Sequence, residues 1–309
     1  MASAAILAAS PVMAADIVIG VPNWPSVRMT AHVLKVVIED NFGLEVELQN
    51  ATNPIIFEAM DKGSIDIHPE VWMPNQQNLH DTYVKNKGTV VMNPNGIPAS
   101  QGMCVPKFVA EEHGVTTIED LTDPDKAALF DSNGDGKGEI WIGVAGCAST
   151  NVEKIRAKSY GYDETLELLE MDETLALAAL DAAVDQKKPY VFYCYKPHHM
   201  FALHELVVLE EPPYDAAKWN VIQPTDDPGW LEKSDAGVAW DLAYLYIHYA
   251  KSLEQRHPEV ASLVANVKLD TDTVSAMVYA LAIEKQDPAE FAKNWVAAHE
   301  DAVLDWLSQ

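Results

Sequence analysis

Short apolar runs alternate with helix-length segments through the first hundred residues, and this alternation constrains the fold more than any other feature of the chain. Residues 17–21, Ile-Val-Ile-Gly-Val, read as a strand. A helix over 26–40 follows, with Ser26 as its expected cap and Val33, Leu34, Val36, Val37 and Ile38 on its apolar faces. Asn41-Phe42-Gly43 stops it. A strand over 44–48, a helix from Asn53-Pro54 to Gly63, a strand over 65–67, a helix over 74–86 and a strand over 89–92 continue the pattern. Parallel neighbours need crossover helices, so the order predicts an α/β fold with a mostly parallel sheet.

The pattern restarts near 102–106. Strands are expected at 140–145, 190–195 and 206–209, and helices at 149–160 and 172–184. From 238 onward the chain reads as helix: 238–253, 258–267, 271–283 and 288–307. A chain of 309 residues favours two lobes over one. The expected division sets 16–103 and 207–309 in lobe 1 and 104–206 in lobe 2. Two crossings between lobes make a hinge, and the cleft between them is the natural ligand site.

Acidic residues outnumber basic ones by 47 to 21, a net charge of −26. Nucleic acid is excluded as a partner, because no basic footprint exists to displace counterions. Residues 6–12 are apolar, and Val12-Met13-Ala14 resembles a cleavage site, so 1–15 reads as an export signal, although no Lys or Arg precedes the apolar stretch. The expected location is the periplasm. Three cysteines, Cys104, Cys147 and Cys194, allow at most one internal disulfide and leave a spare thiol.

Trp24, in Val21-Pro22-Asn23-Trp24-Pro25, and Trp72, in His68-Pro69-Glu70-Val71-Trp72-Met73-Pro74, follow two of the strands. Prolines flank both, and prolines oppose further ladder or helix. Ligands of open α/β sheets bind at strand ends, so these rings read as walls of a site. Aromatic faces hold a quaternary ammonium, which has no hydrogen-bond donors, at roughly 0.5–2 kcal/mol each. Three or four faces supply about 2–6 kcal/mol, and micromolar affinity needs about 8, so a polar group must add the rest. Free amides at a helix start near Cys147, Ser149 and Thr150 suit an anionic oxygen. A carboxylate such as Glu70 or Glu139 suits a protonated or water-bridged N-oxide.

Asp131, Asn133 and Asp135 recur at alternate positions before Gly136, with a backbone carbonyl at Lys137 and the carboxylate of Glu139 completing an oxygen set for structural Ca²⁺. Ile142 stands at the twelfth position, where a calcium loop of the EF-hand type carries Glu. His198, His199, His204 and Glu205 cluster, but no metal-ligand spacing or matched nucleophile and base accompanies them. An exported metal-dependent hydrolase using His198 and His199 is the remote alternative, and a calcium-stabilised sensor is another.

The stretches Val21-Pro22-Asn23-Trp24, Gly63-Ser64-Ile65-Asp66-Ile67-His68-Pro69-Glu70-Val71-Trp72, Lys196-Pro197-His198-His199-Met200-Phe201 and Leu209-Glu210-Glu211-Pro212, with residues 102–106, resemble the solute-binding proteins of ABC importers for glycine betaine and related methylated amines. Within them, the 219–230 segment and the 131–139 loop are most similar to trimethylamine N-oxide binders of marine bacteria. The resemblance implies no enzyme but a two-lobed periplasmic-binding fold that closes over its ligand and serves a membrane permease. It implies Trp24, Trp72 and Trp219 as walls, with Trp141 as a further candidate. Many relatives carry Trp near position 147, often with another at 199; here these are Cys147 and His199, and Tyr195 is the residue that could compensate. Trimethylamine N-oxide is the first expected ligand, with glycine betaine, choline and a sulfonium osmolyte as alternatives.

Overall fold

The computed structural model describes residues 15–308. The expected export segment falls almost wholly outside the described residues. Ten strands form one mixed sheet. They are β1 (Ile17–Val21), β2 (Val46–Asn50), β3 (Ile67–Met73), β4 (Val90–Met92), β5 (Ile97–Pro106), β6 (Gly138–Gly143), β7 (Leu166–Glu170), β8 (Phe192–Lys196), β9 (Leu206–Val208) and β10 (Ala243–Ala250). The main order is β2-β1-β3-β10-β5-β8-β6-β7, with β4 on β10 and β9 on β5. The outer pairs β1/β2, β1/β3, β6/β7 and β6/β8 are parallel, as the alternation requires. The middle is antiparallel, through β10 and β5.

Two main cores form. One packs β1 and the helix α1 (Pro25–Phe42) against the C-terminal helices Pro258–Asn266, Thr271–Ala282, Pro288–Ala298 and Glu300–Leu307. The other packs β5, β6 and β8 around Trp141, Tyr162 and Phe192. A Cys104–Cys194 disulfide joins β5 to β8, leaving Cys147 as the free thiol. Residues 210–240 pack on the second core. Arg156 pairs with Glu211, Lys158 donates to the Leu231 and Ser234 carbonyls, and the Trp240 indole donates to Glu153.

Several expectations fail for identifiable reasons. Residues 238–253 do not form a helix; Ala243–Ala250 is the central strand. Its Tyr and Ile content favours strand, and its burial on both faces removes the alternation that marks a half-exposed one. Pro69 does not end the third strand, which runs on through Trp72 to Met73. The β3/β10 register shifts between Tyr246 and His248, opposite Pro69 and Glu70, and a bulge there accommodates a residue with no N–H to donate. Ser26 is not the cap of α1; Trp24 occupies that position without a side-chain capping bond. The expected helix over 74–86 is a turn, a short helix α2 (Gln77–His80) and a π-helical segment Asp81–Asn86. β7 was not anticipated, because Leu-Glu-Leu-Leu-Glu consists of helix formers placed on a sheet edge. The helix expected over 288–307 breaks at His299 into two.

The sheet encloses three imidazoles. His68 and His248 are fully buried, and His80 nearly so. His68 meets the Asn53 side chain at 2.8 Å, and His248 meets His80 at 3.3 Å. Burial disfavours the charged ring, pushing His68 well below the usual range and His248 down to about 3. The unfolded chain takes up protons below about pH 6.5 that folded His248 refuses, so this residue's contribution to stability falls by about 2 kcal/mol by pH 5. Nitrogen NMR of ¹⁵N-histidine-labelled protein at pH 5 is expected to show both rings neutral; protonation of either at that pH would contradict this packing.

Candidate functional site

The site is built from two walls. On the first, Trp24 sits where β1 turns into α1, and Trp72 lies near the end of β3. One oxygen of Glu70 organises them. The Trp24 indole donates to Glu70 Oε1 at 2.7 Å, the Trp72 indole at 3.0 Å and the Ser26 hydroxyl at 2.7 Å. Both rings are thereby fixed about their own axes, with N–H turned back into the protein and faces left for the cleft.

On the second wall, β6 ends at Gly143, and the helix α3 (Ala148–Tyr160) starts five residues later. Gly143 has φ 122° and lies against Thr150 Oγ1, so a side chain there would be both strained and crowded. Thr150 donates to the Val144 carbonyl at 2.7 Å, which closes the turn. The first amides of α3 have no preceding carbonyl within the helix. Tyr195, on β8, meets Trp72 edge-on at 5.3 Å between ring centroids. Its hydroxyl donates to Glu173 Oε1 at 2.7 Å, and His198 Nε2 reaches the same oxygen at 2.8 Å. Glu173 opens the helix α4 (Glu173–Gln186). Burial raises its carboxyl, but the His198 and Tyr195 hydrogen bonds outweigh burial and hold it below the ordinary range.

Between the walls lies a cleft of ≈ 480 Å³, within the usual size of small-ligand sites. Trp24, Trp72, Trp141, Cys147, Ser149 and Tyr195 all line it. Trp141 is 2% exposed, and its indole donates to the Met171 carbonyl at 3.1 Å. Four other expected residues, Thr150, Glu70, Trp219 and Glu139, do not line it. Thr150 is spent on the turn, and Glu70 sits at the N–H edges of the tryptophans. Trp219 packs against Tyr214 and Trp240, on the segment held by Glu153 and Arg156. Sequence reading missed Glu173, which follows the Asp172 cap and so resembles an ordinary first-turn acid. Nothing local in sequence shows that Tyr195 and His198 converge on it. Tyr193 and a collar of amides, including Asn75, Asn151 and Gln223, were missed as well.

Among the described lining residues Glu173 carries the only full charge; no Lys, Arg or His lines the cleft. The surface offers aromatic faces, neutral amides and one carboxylate. It is suited to a small cation with methyl groups and unsuited to a bare anion.

The 131–139 loop is a closed turn. Asp131 accepts from the amides of Gly134 and Gly136, Asn133 from Asp135 and Asp135 from Lys137. Glu139 accepts from the Ser132 amide, while its Oε1 is buried and unpartnered. The donors are all oxygens, as calcium prefers. However, among the described residues no three His, Cys, Asp or Glu side chains gather as a metal site. Glu139 does not line the cleft.

Residues 15–298 match the family model described as the substrate binding domain of ABC-type glycine betaine transport systems. The chain belongs to that family. It is therefore a substrate-binding component of an ABC-type transport system and not an enzyme. It is 24% identical over 248 residues to the glycine betaine/proline betaine-binding periplasmic protein of Salmonella typhimurium, covering 76% of this chain and 73% of that one. It is 25% identical to the glycine betaine-binding periplasmic protein OusX of Dickeya dadantii over 76% and 72% of the two chains. Lactococcal OpuAC in its closed form with glycine betaine superposes with a TM-score of 0.72 at 21% identity, over 94% of this chain and 98% of that one. A choline-binding protein of an ABC transporter in complex with choline gives 0.73 at 17% identity, over 94% and 92%. These structures share the α/β periplasmic-binding fold.

Burial, and secondarily the charge of Glu173, raise the Cys147 thiol above its ordinary pKa. Thiolate is the reactive form. Iodoacetamide at pH 7.5 is expected to alkylate Cys147 in the folded protein at least about tenfold more slowly than in urea. Equal rates, followed by mass spectrometry, would contradict this placement.

Proposed function

We propose that the protein captures a small methylated amine in this cleft and delivers it to a membrane permease, with trimethylamine N-oxide as the first candidate. The carrying observation is the cleft itself: Trp24, Trp72 and Tyr195 faced by Glu173 as its one full charge. In this reading the methyl groups contact the rings and Glu173 balances the nitrogen's charge. The ligand oxygen reaches Ser149 or the free amides of α3. Trimethylamine N-oxide places an acceptor close to its cation and has no carboxylate to set against Glu173. Glycine betaine, choline and a sulfonium osmolyte are the alternatives; relatives named for glycine betaine and a structure with choline favour the first two. The mechanism is a population shift, in which a ligand touching both walls favours the closed state that the permease reads.

The two cores support a division into lobes. The contacts of residues 210–240 favour including them in lobe 2, with β10 as the return to lobe 1. Periplasmic export fits the disulfide and the names of the relatives.

Isothermal titration with the four candidates is expected to give micromolar or tighter binding for at least one. Trp72→Ala is expected to weaken that binding by at least about tenfold, the equivalent of one desolvated aromatic face. No heat from any candidate would overturn the ligand class, and unchanged affinity in the variant would remove Trp72 from the wall.

Structural calcium in the 131–139 loop is a second proposal, supported by the donor types and by the unpartnered Glu139 oxygen. Adding calcium to chelator-treated protein is expected to raise the melting temperature by a few degrees. An unmoved transition at millimolar calcium would discard the site.

A further inference from the structure

Glu70 is 1% exposed, does not line the cleft, and sits at the N–H edges of the two tryptophans that do. Its two oxygens are used very unequally. Oε1 accepts from the Trp24 and Trp72 indoles and the Ser26 hydroxyl. Oε2 is buried and has no hydrogen-bond partner among the described residues. Three donors on one oxygen suit a carboxylate, because hydrogen bonds to an ionised acceptor are about twice as strong as neutral ones. Yet an uncompensated buried charge is costly, and nothing in the described protein pairs with it. The missing partner has an obvious position. A cation resting on the indole faces would stand within Coulomb reach of the carboxylate at their N–H edges.

We propose that Glu70 is the positioning residue and buried counter-charge of the cleft, and that binding of a cationic head group expels a proton from it. The proposal rests on the methylated-amine reading and adds a residue that never touches the ligand. In the free protein the neutral form carries its proton on Oε2, since Oε1 is saturated by donors. When the cation arrives, the Oε2–H bond breaks, the proton passes to solvent, and the carboxylate is left at the N–H edges of the rings that hold the cation. Indole N–H groups donating to a full negative charge also enrich the ring faces that the cation meets.

The surroundings agree with this assignment. Burial raises the Glu70 carboxyl to about 7, opposed by the bonds from Ser26, Trp24 and Trp72. On its own strand His68 takes the Glu70 amide on Nδ1, and from β10 His248 stands beside His68. Both imidazoles stay neutral, so neither supplies the charge. Tyr195 on β8 faces the same rings, and burial and Glu173 hold it protonated. Ser26 in the first turn of α1 and Trp24 at its cap reach the carboxylate.

Trimethylamine N-oxide, glycine betaine and choline serve as probes, none of which titrates between pH 6 and 8. Affinity of wild-type protein for a bound probe is expected to rise about tenfold between those values, as follows when a group near 7 must ionise on binding. Calorimetry at pH 7 in two buffers of different ionisation enthalpy is expected to show fractional proton release. Glu70→Gln, which keeps an acceptor for the indoles but not the charge, is expected to lose affinity at pH 8 and most of the pH dependence. This variant separates Glu70 from His198, whose contact with Glu173 it leaves intact. A wild-type protein that binds a probe without proton release and with flat pH dependence would overturn the proposal and leave the ligand reading standing. That measurement needs no variant to fold. Failure of all three probes to bind would overturn both.

Discussion

The antiparallel strand β10 is the constraint on which the molecule depends. It pairs with β3 on one side and with β4 and β5 on the other, joining two parallel arrangements that otherwise share no ladder. Its register sets Leu245 opposite Trp72, and Leu245, 1% exposed, packs with Trp72, Ile97, Val274 and Val278 beneath the cleft floor. β5, pinned by β10 at Ala99, carries Gln101 onward to bond Asn75 and receive the Tyr193 hydroxyl. The two walls are thus spaced by one strand and its neighbours rather than by loops. Burying a residue such as Leu245 contributes about 1.5–3 kcal/mol, and each such contact also fixes an aromatic wall.

Electrostatics follow from that scaffold. The chain is strongly acidic, but surface charge is screened within about 10 Å at ordinary salt and does not define a site. Two buried or half-buried carboxylates do. Glu173 lines the cleft with an oxygen held by Tyr195 and His198, and Glu70 holds the indoles at their N–H edges. Aromatic faces alone fall short of micromolar affinity, and a carboxylate in a cleft free of basic side chains is the kind of polar group that closes the gap.

Sequence patterns were legible where one physical rule acts alone. Helical spacing of Val33, Leu34, Val37 and Ile38 marks α1, and the βα order marks the parallel outer strands. They misled where rules compete. Tyr-Leu-Tyr-Ile-His-Tyr is apolar enough at every position to resemble a buried helix, and only its place between two strands makes it β10. Pro69 signals a strand end unless it falls in a bulge, and this bulge shows only in the register of β3 against its partner strand. For the site, the strand-end surroundings of Trp24 and Trp72 pointed to residues that line the cleft. Glu173, Tyr195 and His198 converge across 25 residues of chain, and such convergence has no local signature. Trp219 resembled a wall in its motif and went instead to Trp240, because the Arg156–Glu211 pair and the Trp240–Glu153 bond draw its segment onto the second core.

A crystal structure grown with trimethylamine N-oxide tests the central claim most directly. The expected result places the nitrogen within about 6 Å of the Trp24, Trp72 and Tyr195 ring centroids, on the Glu173 side of the cleft, with the oxygen toward Ser149 and the start of α3. An empty cleft at saturating ligand, or a ligand seated away from these rings, would contradict it.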